Sequence, residues 1–284
     1  MKKYFKLMRV HHYIKNLLVF AALICSGQLL NGEKFWTGVV GFISFCMISS
    51  VVYIINDIRD REEDRYHPTK CNRPIAAGII SVKKAVLIAI ILLVCALTCN
   101  LLILRITSTL LLVLYLIINL AYSMGLKNKP IIDITILAAG FFIRILYGAI
   151  ITEITISNWL YLTVIVLAFY FSLGKRRNEL KQMQSNRAVL KLYPIDFLDK
   201  NMGMCLTLGN VFYALWSVDE KTKSLYGNEY LVFTVPIVLL ITMKYSMNIE
   251  GNADGDPVEV LLHDRILLLL CVVYLAIMLL VLYL

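Results

Sequence analysis

The sequence predicts an all-α integral membrane protein with nine transmembrane helices and a cytoplasmic N-terminus. Hydrophobic residues make up 60% of the 284 positions and the mean hydropathy is +0.76, which exceeds what a soluble domain carries. Nine apolar runs follow one another along the chain, and lysine and arginine are concentrated in alternate loops between them. Only helices and closed barrels can span a bilayer, and apolar runs of this length are typical of helices.

The apolar runs set the order of the predicted helices. A crossing needs about 20 residues, because each residue adds about 1.5 Å of helix. The runs lie at residues 14–31, 36–55, 84–104, 108–124, 132–151, 157–174, 200–216, 229–247 and 265–284. Residues 1–284 are therefore expected to form a single polytopic membrane domain. Its long cytoplasmic loops are predicted at residues 56–80, which are rich in aspartate, at residues 175–199, which are basic, and at residues 248–264.

The distribution of positive charge sets the predicted topology. Most of the 28 Lys and Arg residues fall in the N-terminal segment and in the loops on its side of the membrane. The opposite loops hold only Lys34, Arg105, Lys221 and Lys223. Because positive residues are retained in the cytoplasm, this bias places the N-terminus inside. It also accounts for the net charge of +9 without a nucleic-acid partner, and it disfavours a cleaved secretory signal at residues 1–27.

The densest chemistry follows the second span, where residues 56–68 read NDIRDREEDRYHP. At about 100° per helical residue, six polar side chains fall within an arc of about 120°: Asn56, Asp57, Asp60, Glu63, Asp64 and His67. Pro68 is expected to end this helix. Carboxylates on one face repel one another unless a cation lies among them, and oxygen ligands favour Mg²⁺, which often binds substrate phosphates as well. The pattern predicts a magnesium–diphosphate site, with a solvated acidic loop as the alternative.

The string NDxxDxxxD from Asn56 to Asp64 resembles the first aspartate motif of the UbiA prenyltransferase superfamily. The resemblance implies a nine-helix UbiA-type bundle, in which Asp57, Asp60 and Asp64 are catalytic and bind Mg²⁺ together with the diphosphate of an isoprenoid donor. The number of helices and the placement of the loops extend the resemblance over essentially the whole chain.

Two departures narrow the resemblance to one branch of the superfamily. The second Asp-rich motif, expected between spans six and seven, is replaced by the basic string GKRRNEL at residues 174–180. The first motif continues into HPTKCNRPIAAG at residues 67–78, which resembles the decaprenyl-phosphate phosphoribosyltransferases. Further matches to this branch are Lys15-Asn16, Asp133 with Ala139-Gly140-Phe141 and Arg144, Lys175-Arg176 with Glu179-Leu180, and Gly255-Asp256-Pro257 with Asp264-Arg265.

The branch implies a function. Its members transfer 5-phosphoribose from phosphoribosyl diphosphate to a polyprenyl (decaprenyl) phosphate and release diphosphate, in arabinan-precursor synthesis for the cell envelope. The implied location is the inner (plasma) membrane with a cytoplasm-facing site, and a homo-oligomer is left open. Because both substrates carry phosphates, cationic side chains must supplement Mg²⁺. The implied substrate-binding residues are Lys15, Asn56, His67, Lys70, Arg73, Arg144, Lys175, Arg176 and Glu179.

Several of these basic residues have a second interpretation. An arginine as deep in a span as Arg144 should face an internal cavity, where it either binds phosphate or is satisfied structurally, for example by Asp133 on the same helix face. Lys15 either extends to the membrane interface or contacts substrate. Lys175 and Arg176 could hold either the 5-phosphate or the acceptor phosphate.

Two other functions also remain open from the sequence. A conventional UbiA prenyltransferase would join a prenyl diphosphate to an aromatic or other acceptor, although the basic run at residues 175–177 disfavours it. A non-enzymatic transporter or lipid-binding scaffold would place its site at the membrane midplane between broken helices. The carboxylates here lie instead at the predicted membrane surface.

Overall fold

The computed structural model describes residues 2–67, 70–103, 105–181, 188–227, 229–251 and 257–283, and these ranges are almost entirely helical. Their α-helices are α1 (Lys2–Met8), α2 (Ala21–Cys25), α3 (Gly32–Arg59), α4 (Arg61–Arg65), α5 (Val82–Leu101), α6 (Ile106–Ser123), α7 (Ile132–Ile151), α8 (Asn158–Lys181), α9 (Ile195–Val218), α10 (Glu220–Tyr226), α11 (Val235–Glu250), α12 (Pro257–His263) and α13 (Arg265–Tyr283). The 3₁₀ helices are Val10–Phe20, Lys70–Asn72, Leu126–Asn128, Ala188–Leu192 and Tyr230–Thr234.

Seven helices within the described ranges are long and apolar enough to cross a membrane, which makes the chain a multi-pass membrane protein. They are α3, α5, α6, α7, α8, the segment Tyr230–Glu250, and α13. The first predicted span corresponds to a shorter apolar segment, Val10–Cys25, and the seventh corresponds to α9, which is not among the seven. The all-helical membrane fold is confirmed, while the count of nine crossings and the side of the N-terminus stay predictions.

Helix α5 illustrates how the exposed surface suits lipid. Leu87, Ile90, Ile91 and Val94 follow the i, i+3, i+4, i+7 spacing of one helix face, and each is more than half exposed. In water such a stripe would be an association surface, whereas hydrocarbon chains solvate it without cost. The exposed apolar face therefore agrees with a membrane location for this helix.

The first of two compact units comprises Met1–Leu23, Asn31–Leu126 and Ile143–Ile154. In it α3 packs against α5, α6 and the 3₁₀ helix Val10–Phe20. Its core centres on the fully buried ring of Phe45, which lies 4.8 Å from the ring of Tyr115 and 5.4 Å from that of Tyr147 between centroids. These contacts connect three helices through aromatic packing.

The N-terminal segment depends on a close backbone approach to α7. A Cβ atom added to Gly148 would lie 1.9 Å from the carbonyl oxygen of Val19, so only glycine fits between the two backbones. The hydroxyl of Ser50 on α3 donates to the carbonyl of Met8 and bonds with the Tyr13 hydroxyl. The 3₁₀ segment is thus held by both α3 and α7.

The second unit comprises Ile24–Leu30, Lys127–Phe142 and Thr155–Leu284. Helix α8 packs along α9, and α11 packs against α9 and α13. The shared core includes Leu173 of α8, Leu198 and Met202 of α9, and Ile249 of α11. Helices α8 and α11 approach closely at Gly174, where an added Cβ would lie 2.9 Å from the Ile249 Cδ1 atom.

The local backbone conformation differs from the sequence-based expectation at two places. The expected continuous helix through residues 56–67 is interrupted at Asp60, whose ψ of 5° departs from the α-helical value of about −42°. The region predicted as a loop from residue 175 begins as helix, because α8 continues to Lys181. Pro68, residues 182–187 and residues 252–256 lie outside the described residues, so the helix stop expected at Pro68 and the loop boundaries at 56–80, 175–199 and 248–264 stay predictions.

We expect Gly148→Ala to lower the free energy of unfolding by about 1–3 kcal/mol, because the new methyl group must displace the Val19 backbone. Gly203→Ala on α9 is the matched control, since nothing lies within 4 Å of an added Cβ there. It should be neutral or stabilise the helix by up to about 1 kcal/mol. Thermal melts of the full chain in detergent measure both changes, and equal melting temperatures would contradict the close approach.

Candidate active site

A cluster of carboxylates and arginines lies at the end of α3 in the first unit. Asp57 is 1% exposed, and its Oδ1 atom accepts from Arg9 at 2.5 Å and forms an ion pair with Nη1 of Arg73 at 3.1 Å. Arg73 also donates to Oδ2 of Asp64 at 2.6 Å, and Asp64 is 4% exposed. Arg73 therefore bridges two buried carboxylates that are seven residues apart. Two guanidinium groups balance the two negative charges.

The local chain conformation brings these groups together. Asp57 lies in the last turn of α3, Asp64 lies on α4, and Arg73, which follows α4 in the chain, contacts both carboxylates. Asp60 occupies the junction between the two helices and is partly buried. Asn56, the residue before Asp57, is held by α6. Its side-chain oxygen accepts a hydrogen bond from the Ser123 hydroxyl at 3.0 Å.

The remaining residues of this motif occupy the turn. His67 Nδ1 accepts from the backbone N–H of Lys70 at 3.3 Å, so the imidazole shapes the chain before Arg73. Both side chains are partly buried. Glu63, which the helical arc placed with the other carboxylates, is exposed and lies on α4, beyond the interruption at Asp60.

Arg9 is a member of the cluster that the sequence did not single out. Its backbone has φ 51° and ψ 50°, a left-handed conformation that costs free energy in a residue other than glycine. Its guanidinium contacts Asp57 and lies 4.9 Å from the centre of the Tyr53 ring. In the sequence Arg9 is only one of several basic residues in the N-terminal segment. Its partner Asp57 lies 48 positions away, so no local pattern connects the two.

The donor set of this cluster fits a hard cation. Asp57 and Asp64 offer carboxylate oxygens and Asn56 an amide oxygen, which are the ligand types that Mg²⁺ prefers. In the described part of the chain, no group of three or more His, Cys, Asp or Glu side chains is placed to hold a metal ion, since the arginines take the positions between the carboxylates. A bound cation would therefore compete with Arg9 and Arg73 for the same oxygens.

Arg144 occupies a second polar cluster in the first unit, within the membrane-spanning part of α7. It is 5% exposed and donates to the side-chain oxygen of Asn16 at 2.8 Å and to the Tyr115 hydroxyl at 3.0 Å. Its guanidinium carbon lies 5.1 Å from the ring centres of Phe45 and Tyr115. The aromatic faces and the amide solvate this cation in the protein interior, as the structural interpretation predicts.

Asp133 has other partners than Arg144, from which about 16 Å of helix separates it. In the second unit its Oδ2 atom accepts from Nε of Arg176 at 2.5 Å, and its Oδ1 atom accepts from the Tyr193 hydroxyl. Arg176 Nη1 donates in turn to Glu179 at 2.5 Å. Arg176 and Asp133 are both fully buried. Tyr193 lies 60 positions from Asp133, so no local spacing in the sequence points to it.

The environment of Tyr193 keeps it protonated. Burial, followed by its hydrogen bond to Asp133, raises the pKa of the Tyr193 phenol above its ordinary value. The hydroxyl therefore remains a donor at any physiological pH. Inside the second unit Arg176 thus pairs with two carboxylates, Asp133 and Glu179, and the neutral Tyr193 hydroxyl is a further donor to Asp133.

The other described residues that match the branch are partly buried or lie at the start of a helix. Lys15 and Lys175 are partly buried. Asp264 caps α13, because its Oδ1 atom accepts from the backbone N–H groups of Ile266 and Leu267. The Leu267 N–H and the Lys244 ammonium lower the pKa of Asp264 to about 2. Its role is thus to begin a helix, while Gly255 and Asp256 lie outside the described residues.

The helical membrane fold and the carboxylate–arginine cluster define a class of enzyme. Residues 17–243 match the model of the UbiA prenyltransferase family, and the chain therefore belongs to this family and is a transferase. A solved structure of a UbiA homolog from Archaeoglobus fulgidus bound to GPP and Mg²⁺ is similar, with a TM-score of 0.72, 21% identity, and coverage of 99% of this chain and 100% of that one. This likeness confirms the predicted fold.

Two curated relatives indicate the branch. Decaprenyl-phosphate phosphoribosyltransferase of Mycolicibacterium smegmatis is 33% identical, in an alignment covering 93% of this chain and 87% of that protein. Decaprenyl-phosphate phosphoribosyltransferase of Mycobacterium tuberculosis is 31% identical over 95% of this chain and 91% of its own length. The names of these relatives and the fold support a prenyl-phosphate transferase.

Arg73→Gln should lower the free energy of unfolding by about 2–4 kcal/mol, because Asp64 loses its bridging cation while it stays buried. Arg61→Gln is the control, since the partner of Arg61 among the described residues is the exposed Glu62, and the change should alter stability by less than about 1 kcal/mol. Unfolding in detergent without divalent cations measures both. A loss no greater for Arg73→Gln than for Arg61→Gln would show that the bridge does not stabilise the cluster.

Proposed function

We propose that this enzyme transfers 5-phosphoribose from phosphoribosyl diphosphate to a polyprenyl phosphate of the decaprenyl type, in a Mg²⁺-dependent reaction that releases diphosphate. The observation that carries the proposal is the cluster of two buried carboxylates bridged by Arg73 and flanked by Arg9. Such a cluster offers oxygens to a cation and guanidinium groups to phosphates. The two phosphoribosyltransferase relatives, which align over nearly the whole chain, support the sugar donor.

The chemistry requires charge stabilisation more than a base. A phosphate oxygen of the lipid attacks C1 of the ribose as the bond from C1 to the diphosphate oxygen breaks, and the diphosphate leaves with the electron pair. The acceptor monoester is largely ionised at neutral pH, so positioning matters more than deprotonation. Mg²⁺ would neutralise the leaving diphosphate, with Asp57, Asp60 and Asp64 as its ligands.

The arginines of the cluster would complete this charge balance. With Mg²⁺ on these carboxylates, Arg9 and Arg73 would be free to donate charge-assisted hydrogen bonds to phosphate oxygens of the diphosphate. Both side chains are partly exposed, at 18% and 22%, so they can turn from one partner to the other. His67 and Lys70 shape the turn that positions Arg73.

The proposal also includes the location of the reaction. Phosphoribosyl diphosphate is too highly charged to cross a bilayer, so its binding site must open to the compartment that supplies it. A site at the end of α3, on the side that the positive-inside rule predicts to be cytoplasmic, would meet it at the inner face of the plasma membrane. The lipid-linked product suits a cell-envelope pathway such as arabinan-precursor synthesis.

The decisive experiment follows radiolabelled phosphoribose into the lipid phase, using purified protein in detergent with Mg²⁺ and decaprenyl phosphate. We expect label in the lipid, and none when Mg²⁺ is chelated. A parallel reaction supplies a prenyl diphosphate and an aromatic acceptor. Prenyl transfer without sugar transfer would overturn the proposal in favour of a conventional UbiA prenyltransferase.

Asp60→Asn should abolish detectable transfer, with a loss of at least about 100-fold, because one ligand charge for the cation is removed. The melting temperature without substrate should stay near that of the wild type, since Asp60 is partly exposed at a helix junction. Glu62→Gln is the matched control, because Glu62 is 57% exposed and pairs with Arg61 and Arg65. If both variants lose activity equally, the loss in Asp60→Asn comes from the changed charge of the region and not from a lost metal ligand.

A further inference from the structure

The basic string of α8 contains two adjacent arginines with different surroundings. Arg176 is fully buried and forms ion pairs with two carboxylates of the second unit, Asp133 and Glu179. Its charge is therefore balanced by the protein itself. Arg177 has one carboxylate partner, Asp199 of α9, and that side chain is 43% exposed. Water weakens an exposed pair of this kind, so less of the Arg177 charge is neutralised.

The guanidinium of Arg177 retains an unused donor. The residue is 6% exposed, and its Nη1 atom is buried with no hydrogen-bond partner among the described residues. The Nε atom of the same guanidinium donates a hydrogen bond to Oδ1 of Asp199. A buried charged donor without an acceptor costs at least about 1–3 kcal/mol. Proteins keep such a group where a ligand or an ordered water supplies the acceptor.

The surroundings of Arg177 are polar and are built by two helices. Tyr170, seven residues earlier on the same face of α8, is 1% exposed and lies within electrostatic range of Arg177. Its ring lies 5.8 Å from that of Tyr245 on α11 between centroids. Gly174 lies between Tyr170 and Arg177 along α8, at the point where α8 packs closely against Ile249 of α11. Glu250, the nearby acid on α11, is exposed and accepts from Ser246.

We infer that Arg177, not Arg176, is the phosphate-binding arginine of the basic string, and that its Nη1 donates to an oxygen of a phosphate monoester. The inference rests on the proposed function and adds a substrate contact to it. A monoester carries about −1.5 to −2 charge and three acceptor oxygens, so it can satisfy Nη1 despite Asp199. Both proposed substrates bear this group, as the 5-phosphate of the donor and as the lipid phosphate.

Binding without turnover tests this assignment. The full-length protein in detergent is titrated with inorganic phosphate, ribose 5-phosphate and farnesyl phosphate, and dissociation constants are read from melting-temperature shifts. Ribose and farnesol are the uncharged controls. Loss of one charge-assisted hydrogen bond should weaken binding of the relevant monoester by at least about tenfold in Arg177→Gln. The monoester that depends on Arg177 identifies which substrate phosphate binds there.

Two further variants distinguish the loss of the Nη1 donor from the loss of a positive charge and from misfolding. Lys181→Gln removes one exposed positive charge a turn later on α8 and should leave the affinity within about twofold. Arg177→Lys keeps the charge beside Asp199 but lacks Nη1, so it should lose binding like Arg177→Gln. If Arg177→Gln does not fold, the phosphate affinity of Arg177→Lys alone tests the inference. Wild-type affinity for all three phosphates in Arg177→Lys would overturn the inference and leave a buried water as the partner of Nη1.

The same measurements keep this inference separate from the proposed function. Phosphoribose transfer by the wild type, together with unchanged phosphate affinity in Arg177→Lys, would retain the function and reject the role of Arg177. Arg177-dependent binding of farnesyl phosphate or ribose 5-phosphate by a protein that transfers no phosphoribose would support the role of Arg177 and reject the proposed function.

Discussion

The bridge from Arg73 to Asp57 and Asp64 is the interaction on which the candidate site depends. Two carboxylates that are nearly inaccessible to water cannot stay charged near a membrane surface without compensation, and Arg73 supplies it to both. Arg9 adds the second positive charge, at the cost of a left-handed backbone conformation. The site is thereby kept folded and neutral while its oxygens remain available for exchange to a cation.

The same physical requirement explains the polar clusters elsewhere. In the second unit Asp133, Arg176, Glu179 and Tyr193 satisfy one another. In the first unit the environment of Arg144 includes an amide, a hydroxyl and two aromatic faces. Charges in low-dielectric surroundings are costly unless the protein solvates them, so a buried ion paired with neighbouring side chains has a structural reason to be there. Arg176 meets this condition, whereas Nη1 of Arg177 has no hydrogen-bond partner among the described residues.

Sequence reasoning recovered the long helices and part of the site. Apolar runs specify membrane-spanning segments because each residue contributes to transfer free energy independently of its tertiary neighbours, and seven of the runs became long apolar helices. The spacing of Asp57 and Asp64 correctly grouped two buried carboxylates. The same spacing wrongly grouped Glu63 with them, because it assumed a straight helix through Asp60. No local signal in the sequence marks the ψ of 5° at that residue.

By itself the sequence determined the fold class, the family and the residue types that gather after α3, since these follow from composition, hydropathy and short-range spacing. Only the tertiary structure decided which charges meet. Arg9 reaches Asp57 across 48 positions, and Tyr193 reaches Asp133 across 60. Such pairs depend on how helices pack, and packing is fixed by the shapes of many side chains together, such as the close approach that Gly148 permits. No periodicity in the chain encodes that contact.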